Sequence, residues 1–166
     1  MGDGVTYVTQ FTPWGDVVLA ASAQGLVALR FADQGVPDRW TRASSTAQGG
    51  ALAQALEWLK GFIQQPQLSS RALPPIDDSH ATAFQRKVWR QLDRIPCGQT
   101  QTYAELAQQL GTSPRAVGRA VGSNPWLLMR PCHRVIGANG QLTGYAGGLA
   151  RKQALLAFEG HRRLQP

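Results

Sequence analysis

The stretch 64–80 constrains the fold most, because the hydrophobic pattern of the chain changes across it. It contains three prolines and two aspartates, and its apolar residues have no periodic spacing. Prolines clustered among polar residues are typical of loops and linkers. A chain of 166 residues has room for one ordinary domain or two small ones. The sequence therefore predicts two domains, residues 1–80 with a linker at about 64–80, and residues 81–166.

The first half of the chain carries strand patterns followed by a helix pattern. Two apolar runs, 17–21 and 26–31, flank Gln24-Gly25, which predicts two strands joined by a turn. An earlier turn is expected at 12–15, where proline and glycine occur together. Large apolar residues then recur at helical spacing over 51–63, which predicts a helix there.

The second half begins with three predicted helices, each preceded by a residue suited to cap it. One follows Thr82, one follows Thr102 over 103–110, and one follows Ser113 over 115–121. The first of them has its apolar side at Phe84, Val88, Trp89 and Leu92. Two short helices joined by a tight turn, as predicted over 103–121, are typical of a helix-turn-helix.

The end of the chain carries one strand signal and one helix signal. Asn139-Gly140 lies within the stretch 135–145, and this dipeptide predicts a β-hairpin there. The pattern over 149–158 predicts a last helix, with Gly160 as its stop signal.

Charge is distributed unevenly between the two halves. Residues 1–80 hold five basic and seven acidic side chains, a net charge of −2, whereas residues 81–166 hold twelve basic and three acidic ones, a net charge of +9. A basic block of this kind predicts a polyanionic partner, nucleic acid first.

The cysteine content and hydropathy exclude several classes of protein. Two cysteines, Cys97 and Cys132, are too few for a secreted disulfide scaffold. No apolar stretch is long enough to cross a bilayer, and no signal peptide is apparent. We therefore expect a cytoplasmic protein without a membrane partner.

Cys132 is the strongest candidate for chemistry because of its neighbours. A cysteine in an apolar stretch is usually part of an inert core. Here His133 follows it, and Arg130 and Arg134 flank the pair; nearby cations or a basic imidazole favour the reactive thiolate. Adjacent strand residues point to opposite faces, so contact between Cys132 and His133 requires a turn or a bridging water. Glu159, at the end of the last helix, is a candidate to orient the imidazole.

The predicted helix 115–121 combines small and basic residues. Alanine and glycine alternate along it, and Arg115 and Arg119 share one face. Glycine inside a helix costs up to about 1 kcal/mol, so it calls for a reason. Close docking on DNA is one reason, and tight packing inside the protein is the other.

An ordered set of motifs in the second half resembles a known family. The set is Ile95-Pro96-Cys97-Gly98, Thr102-Tyr103, Arg115-Ala116-Val117-Gly118, Asn124-Pro125, Pro131-Cys132-His133-Arg134-Val135-Ile136-Gly137, Gly144-Tyr145-Ala146-Gly147-Gly148-Leu149 and Glu159-Gly160. In order and spacing it is closely similar to the O6-alkylguanine-DNA alkyltransferases, also called methylated-DNA–protein-cysteine methyltransferases. The first half resembles them more loosely, through residues 12–15 and 25–31.

The resemblance implies an α+β fold: a small N-terminal antiparallel sheet domain, RNase H-like in architecture, followed by a helical domain with a helix-turn-helix. In this family the helix-turn-helix docks in the minor groove of double-stranded DNA with little sequence preference. An O6-alkylguanine is rotated out of the stack into a pocket, and Arg115 would fill the gap. The implied DNA contacts are Tyr103, Arg115, Ala116, Gly118, Arg119 and Ser123.

The resemblance also implies a single-turnover transfer. Cys132 would attack the alkyl carbon and keep the group as a thioether. His133 would take the thiol proton through a water, with Glu159 behind it. Tyr103 would donate a proton to the leaving guanine, and Asn124 would brace the turn and the thiol. The guanine pocket would be lined by Pro131, Val135, Tyr145 and Ala146.

The sequence departs from the family pattern at three places. Arg130 stands where the family usually has an apolar residue, and Arg119 where a small residue is common. Residues 1–80 contain no cysteine, so the structural zinc site of some relatives is not expected; no other metal or cofactor is expected either. We expect a monomer, and leave open whether it binds DNA cooperatively.

Three other functions remain to be weighed against transfer. An alkyltransferase-like lesion sensor would bind damaged DNA without repairing it, but such proteins lack the cysteine. A cysteine hydrolase would use Cys132, His133 and Glu159 and would turn over repeatedly. A helix-turn-helix regulator would not need Cys132 and would prefer one DNA sequence.

Overall fold

The computed structural model describes residues 4–44, 49–68 and 72–161, and the chain divides between residues 79 and 80 into two compact units. The described residues contain a small, mainly antiparallel sheet and five α-helices, which confirms the α+β class. Within them, no helix combines the length and the apolar character that crossing a membrane would need.

The first unit contains a sheet of four strands in the order β3-β2-β1-β4. The strands are β1 (Thr6–Gln10), β2 (Val17–Ala21), β3 (Leu26–Phe31) and β4 (Thr41–Arg42). Neighbours among the first three are antiparallel, and β4 runs parallel to β1. The strands predicted at 17–21 and 26–31 are confirmed. β1 is largely polar and β4 has two residues, so neither gave a hydrophobic signal.

The predicted helix of the first unit is confirmed as α1 (Ala51–Gln64), with its apolar side buried. The stretch 64–80, predicted as a linker, is not a free connection, because the backbone near its end is hydrogen-bonded to β3. The backbone N–H of Leu26 donates to Pro75 O over 2.7 Å, and the N–H of Asp77 donates to Leu26 O over 2.9 Å. Gly25 makes this approach possible, since a Cβ there would lie 2.6 Å from Pro75 O.

The three capped helices at the start of the second unit are confirmed. They are α2 (Ala83–Leu92), α3 (Tyr103–Leu110) and α4 (Pro114–Gly122), and the side chains of Thr82, Thr102 and Ser113 accept hydrogen bonds from their first turns. Gly111 ends α3 in the left-handed conformation, and α3 packs against α4 as a helix-turn-helix. Phe84, expected on the buried side of α2, stays 36% exposed.

Two tryptophans connect α2 to the segment that follows α4. Trp89 donates from Nε1 to Ala120 O over 2.8 Å, and its ring meets the edge of Trp126 at 5.3 Å between centroids. Both indoles are buried. This contact fixes the start of the stretch that leads to Cys132.

The β-hairpin predicted over 135–145 is wrong. Asn139 and Gly140 do form a tight turn with positive φ angles of 62° and 79°, as their chemistry demands. However, β6 (Val135–Ile136) pairs in parallel with β5 (Gln101–Thr102). The partner strand is therefore distant in sequence. The last predicted helix is confirmed as α5 (Leu149–Phe158).

Candidate active site

The backbone around Cys132 turns twice within five residues. Cys132 N–H donates to Arg130 O over 2.7 Å across Pro131, whose φ of −79° and ψ of 64° are those of an inverse γ-turn. A 3-10 turn then spans Cys132–Arg134. The turn that Cys132 and His133 require to act together is therefore present, since this segment is not a strand.

Asn124, at the end of α4, ties this turn to the preceding loop. Its Nδ2 donates to Arg130 O over 2.9 Å, and its Oδ1 accepts from the N–H of Trp126 over 3.0 Å. The side chain is 5% exposed. Asn124 thus holds the carbonyl that also accepts from Cys132, which is more than the capping role its position in sequence would require.

A cavity of about 150 Å³ opens beside the thiol. A cavity of this volume holds a ring the size of benzene. Six residues predicted for the site line it: Tyr103, Gly118, Asn124, Cys132, Tyr145 and Ala146. Pro131 and Val135, expected in the pocket, are buried but do not line this cavity; Val135 is engaged in the pairing of β6 with β5.

His133, Glu159 and Arg134 form a buried charge network behind the turn. His133 Nε2 lies 3.0 Å from Glu159 Oε1, and Arg134 binds the same carboxylate through Nε at 2.9 Å and through Nη2. Arg134 Nη1 also donates to Ile95 O over 2.7 Å. The guanidinium of Arg134 therefore holds Glu159 through Nε and Nη2, and its Nη1 is bound to the backbone.

The ionisation of this network leaves the imidazole able to accept a proton. Burial lowers the pKa of His133, and the nearby Glu159 opposes this only in part. Burial acts to raise the pKa of Glu159, but His133 and Arg134 outweigh it and hold that pKa at about 2. Because an ionised carboxylate only accepts, neutral His133 donates from Nε2. Its Nδ1, which has no hydrogen-bond partner in the described part of the chain, is then the basic atom.

The pKa of the Cys132 thiol differs from what the sequence predicts, which is that neighbouring cations favour the thiolate. Burial raises the pKa of Cys132 to about 11, while the hydrogen bond from Asn124 and the charge of Lys152 lower it. The flanking arginines are directed elsewhere: Arg130 lies 5.1 Å over the Trp126 ring and 3.6 Å from Asp93, and Arg134 binds Glu159. The prediction that these arginines favour the thiolate is therefore wrong.

Helix α4 presents two different sides. Arg115, Arg119 and Ser123 are exposed, whereas Val117 and Ala120 are buried. Ala116 and Gly118 are half-buried, and Gly118 lies at the cavity with the Tyr103 ring nearby. Tight packing inside the protein, one of the two reasons considered for the small residues, thus applies to one side of α4. The other side, which carries the basic residues, is exposed.

Comparisons with known proteins identify the family of this chain. The family model for the DNA-binding domain of 6-O-methylguanine DNA methyltransferase matches residues 83–161. The methylated-DNA–protein-cysteine methyltransferase of Mycolicibacterium paratuberculosis is 42% identical over 167 residues, which cover 98% of this chain and 95% of that protein. The chain belongs to the methylated-DNA–protein-cysteine methyltransferase family.

Solved structures are similar to this methyltransferase-family chain over nearly its whole length. The Mycobacterium tuberculosis O6-methylguanine methyltransferase is 38% identical with a TM-score of 0.76, over 93% of this chain and 92% of that one. The structure of Mycobacterium tuberculosis OGT in complex with DNA is 38% identical with a TM-score of 0.75, over the same shares. The resemblance drawn from the motifs is therefore confirmed.

One buried cation of this methyltransferase-family chain escaped the sequence analysis. Lys152 is fully buried in α5 and acts on Cys132 by its charge. The signal that pointed to it was its place among Leu149, Leu155 and Leu156 on the apolar side of α5.

In the described residues, no three His, Cys, Asp or Glu side chains are grouped so that they could hold a metal ion.

Proposed function

We propose that this protein repairs DNA directly by transferring an alkyl group, mainly methyl, from O6 of guanine to the sulfur of Cys132. The observation that carries the proposal is the thiol in the wall of a cavity, followed in the chain by an imidazole that is bound to a buried carboxylate. A sulfur–carbon bond forms as the carbon–O6 bond breaks. A thioether has no ready leaving path, so each molecule acts once.

The proton of the thiol passes to His133, through a water, as the sulfur attacks. Glu159 keeps its charge at neutral pH and stabilises the imidazolium that forms. Asn124 supports the thiol from the other side. At the far end of the reaction, guanine needs a proton donor because its O6 is a poor leaving group. Tyr103 supplies it, since burial raises the pKa of its hydroxyl and keeps it protonated.

The damaged base reaches the cavity by rotation out of double-stranded DNA. The exposed side of α4 docks in the minor groove. There Arg115 fills the gap left by the rotated base, and Arg119 and Ser123 contact the DNA backbone. Ala116 and Gly118 allow the close approach. Tyr145 and Ala146 cover the guanine, and Tyr145 Oη, which has no hydrogen-bond partner in the described residues, is free to bind it. The protein acts as a monomer.

A cytoplasmic location is part of the proposal, because both cysteines are free thiols and such thiols persist in a reducing compartment. A lesion-binding sensor or a cysteine hydrolase gains no support from the relatives, which are named as methyltransferases.

The deciding experiment is the intact mass of the protein after incubation with duplex DNA that contains O6-methylguanine. We expect a gain of about 14 Da, one methyl group, on Cys132. Cys132→Ser abolishes the gain and keeps DNA binding, while Cys97→Ser, the matched control, behaves as wild type. A mass gain on Cys97, or repeated turnover of the DNA without any adduct, would refute the proposal.

A further inference from the structure

The segment 126–131, which leads into the turn at Cys132, contains a strained backbone conformation. Leu128 is buried and has a φ of 70°, in the left-handed region that leucine rarely adopts. The N–H of Met129 donates across it to Leu127 O over 2.8 Å. Strain of this kind persists only where the surrounding structure holds the chain in place. The segment therefore needs an anchor in the second unit.

The side chain of Arg130 provides such an anchor. Its guanidinium lies 5.1 Å over the Trp126 ring, and its Nε lies 3.6 Å from Oδ2 of Asp93, which follows the last residue of α2. Arg130 is 8% exposed, and its Nε and Nη1 have no hydrogen-bond partner in the described residues. Burying a cation with unsatisfied donors is unfavourable, so the pair with Asp93 calls for a function.

The backbone of Arg130 connects this pair to the reacting thiol. Its carbonyl accepts from the N–H of Cys132 over 2.7 Å and from Nδ2 of Asn124 over 2.9 Å. Cys132 and Asn124 both line the cavity. A shift of Arg130 therefore moves the thiol relative to a base held in the cavity, and a misplacement of about 1 Å can slow a reaction about a hundredfold.

The charge of Asp93 depends on pH in a range where the protein can be assayed. Burial raises the pKa of Asp93 to about 6, although the charge of Arg130 opposes the rise. Arg90 and Arg94, its neighbours in the chain, form no ion pair with it in the part of the chain that the structure describes. Asp93 is therefore ionised at pH 7.5 and protonated below pH 5, whereas a guanidinium stays charged throughout.

We propose that Asp93 and Arg130 form a positioning pair for transfer: the carboxylate at the end of α2 holds the arginine on Trp126 and so fixes the carbonyl that binds Cys132 and Asn124. The proposal rests on Cys132 being the acceptor of the alkyl group. It gives the arginine beside the active-site turn a role in geometry, with α2 as the support.

The test is the rate constant of methyl transfer in a single turnover, at saturating duplex DNA with O6-methylguanine, between pH 5 and 8. The ratio of the wild-type rate constant to that of Asp93→Asn is taken at each pH, so that titrations shared by both proteins, such as that of His133, cancel. The ratio should be about ten at pH 7.5 and fall to about one at pH 5, with its midpoint near pH 6. The DNA concentration at half-saturation should not change.

Variants of Arg130 show whether the two residues act together. Arg130→Met should be slowed at pH 7.5 about as much as Asp93→Asn, and the double variant no further, because each change removes the same interaction. The double variant leaves no unpaired charge and is the one to use if a single variant does not fold. Arg130→Lys, which keeps a positive charge, should lose less than Arg130→Met. Asp38→Asn, at an exposed carboxylate of the first unit, should match wild type at every pH.

Two results would overturn the proposal. One is a ratio of wild type to Asp93→Asn that is the same at every pH, which would mean that the charge of Asp93 has no part in transfer. The other is a double variant slowed by the product of the two single effects, which would mean that the residues act independently. In both cases wild type still gains one methyl mass. If wild type gains none, the proposed function fails first, and the positioning pair fails with it.

Discussion

Glu159 stays ionised although its position at the end of a helix and its burial both disfavour a negative charge. It follows the last residue of α5, where the helix dipole disfavours a negative charge, and it is 3% exposed. His133 and Arg134 nevertheless keep it ionised, with a pKa of about 2. The residue therefore contributes to stability as well as to the orientation of the imidazole.

The low pKa of Glu159 predicts a specific dependence of stability on pH. The folded pKa lies below the ordinary value of 4.5, so this contribution is present above pH 4.5 and is lost as the pH falls toward 2. Glu159→Gln should lower the free energy of unfolding by about 3 kcal/mol at pH 7 and by much less at pH 2. Denaturant unfolding across this range measures both.

Glu57→Gln is the matched control for this prediction, because Glu57 is exposed and pairs with Lys60 on the surface of α1. Such a change should shift stability by less than about 1 kcal/mol. Parallel stability curves for wild type and Glu159→Gln between pH 5 and 2 would show that Glu159 is not held ionised by its partners.

The residues around Cys132 show what sequence alone can and cannot predict. Cys132, His133 and Glu159 were predicted together, because their order and spacing match a family motif. The directions of Arg130 and Arg134 were not predictable, since neighbours in sequence need not be neighbours in space. The burial of Lys152 could have been read from its place on the apolar side of α5, whereas its effect on the thiol depends on how α5 packs, which no local pattern describes.

At the scale of elements, helices were more predictable than strands. The starts of α2, α3 and α4 follow from local capping chemistry, which the sequence states directly. The pairing of β6 with β5 joins two-residue strands that are distant in sequence, so neither a periodic pattern nor a turn signal could reveal it. Asn139-Gly140 predicted a turn correctly. The hairpin partner expected after that turn was wrong, because β6 pairs with β5.

The exposed side of α4 leads to a prediction about Arg119. The side chain is exposed and lies on the same side of α4 as Arg115. If it contacts a phosphate, Arg119→Ala weakens binding to all duplexes about equally and reduces the slope of log K against log salt by about 1. Fluorescence anisotropy with labelled duplexes of different sequence at several salt concentrations measures both effects.

Lys60→Ala serves as the control for Arg119, since it removes one exposed positive charge from the first unit and should leave the slope unchanged. Tighter binding by Arg119→Ala would contradict the phosphate contact. It would mean that the arginine side chain obstructs docking of α4.

At the scale of the whole molecule, charge and fold divide at the same place. The net charge of +9 belongs to residues 81–166, and the second compact unit begins at residue 80. The same unit carries the helix-turn-helix, the cavity and Cys132. The sequence predicted the charged half, its partner and the strands β2 and β3, whereas the pairing of β4 with β1 and the attachment of 72–79 to β3 are long-range.

This division predicts that affinity for DNA comes mainly from backbone contacts of the second unit. Cys132→Ser, which cannot capture an alkyl group, should bind undamaged duplexes of equal length and unrelated sequence with affinities that agree within a few-fold. For each of them, log K should fall linearly with log salt and with the same slope, because counterion release depends on the phosphates contacted and not on the bases. A preference of about a thousandfold for one sequence, typical of specific readout, would instead identify the helix-turn-helix as that of a regulator.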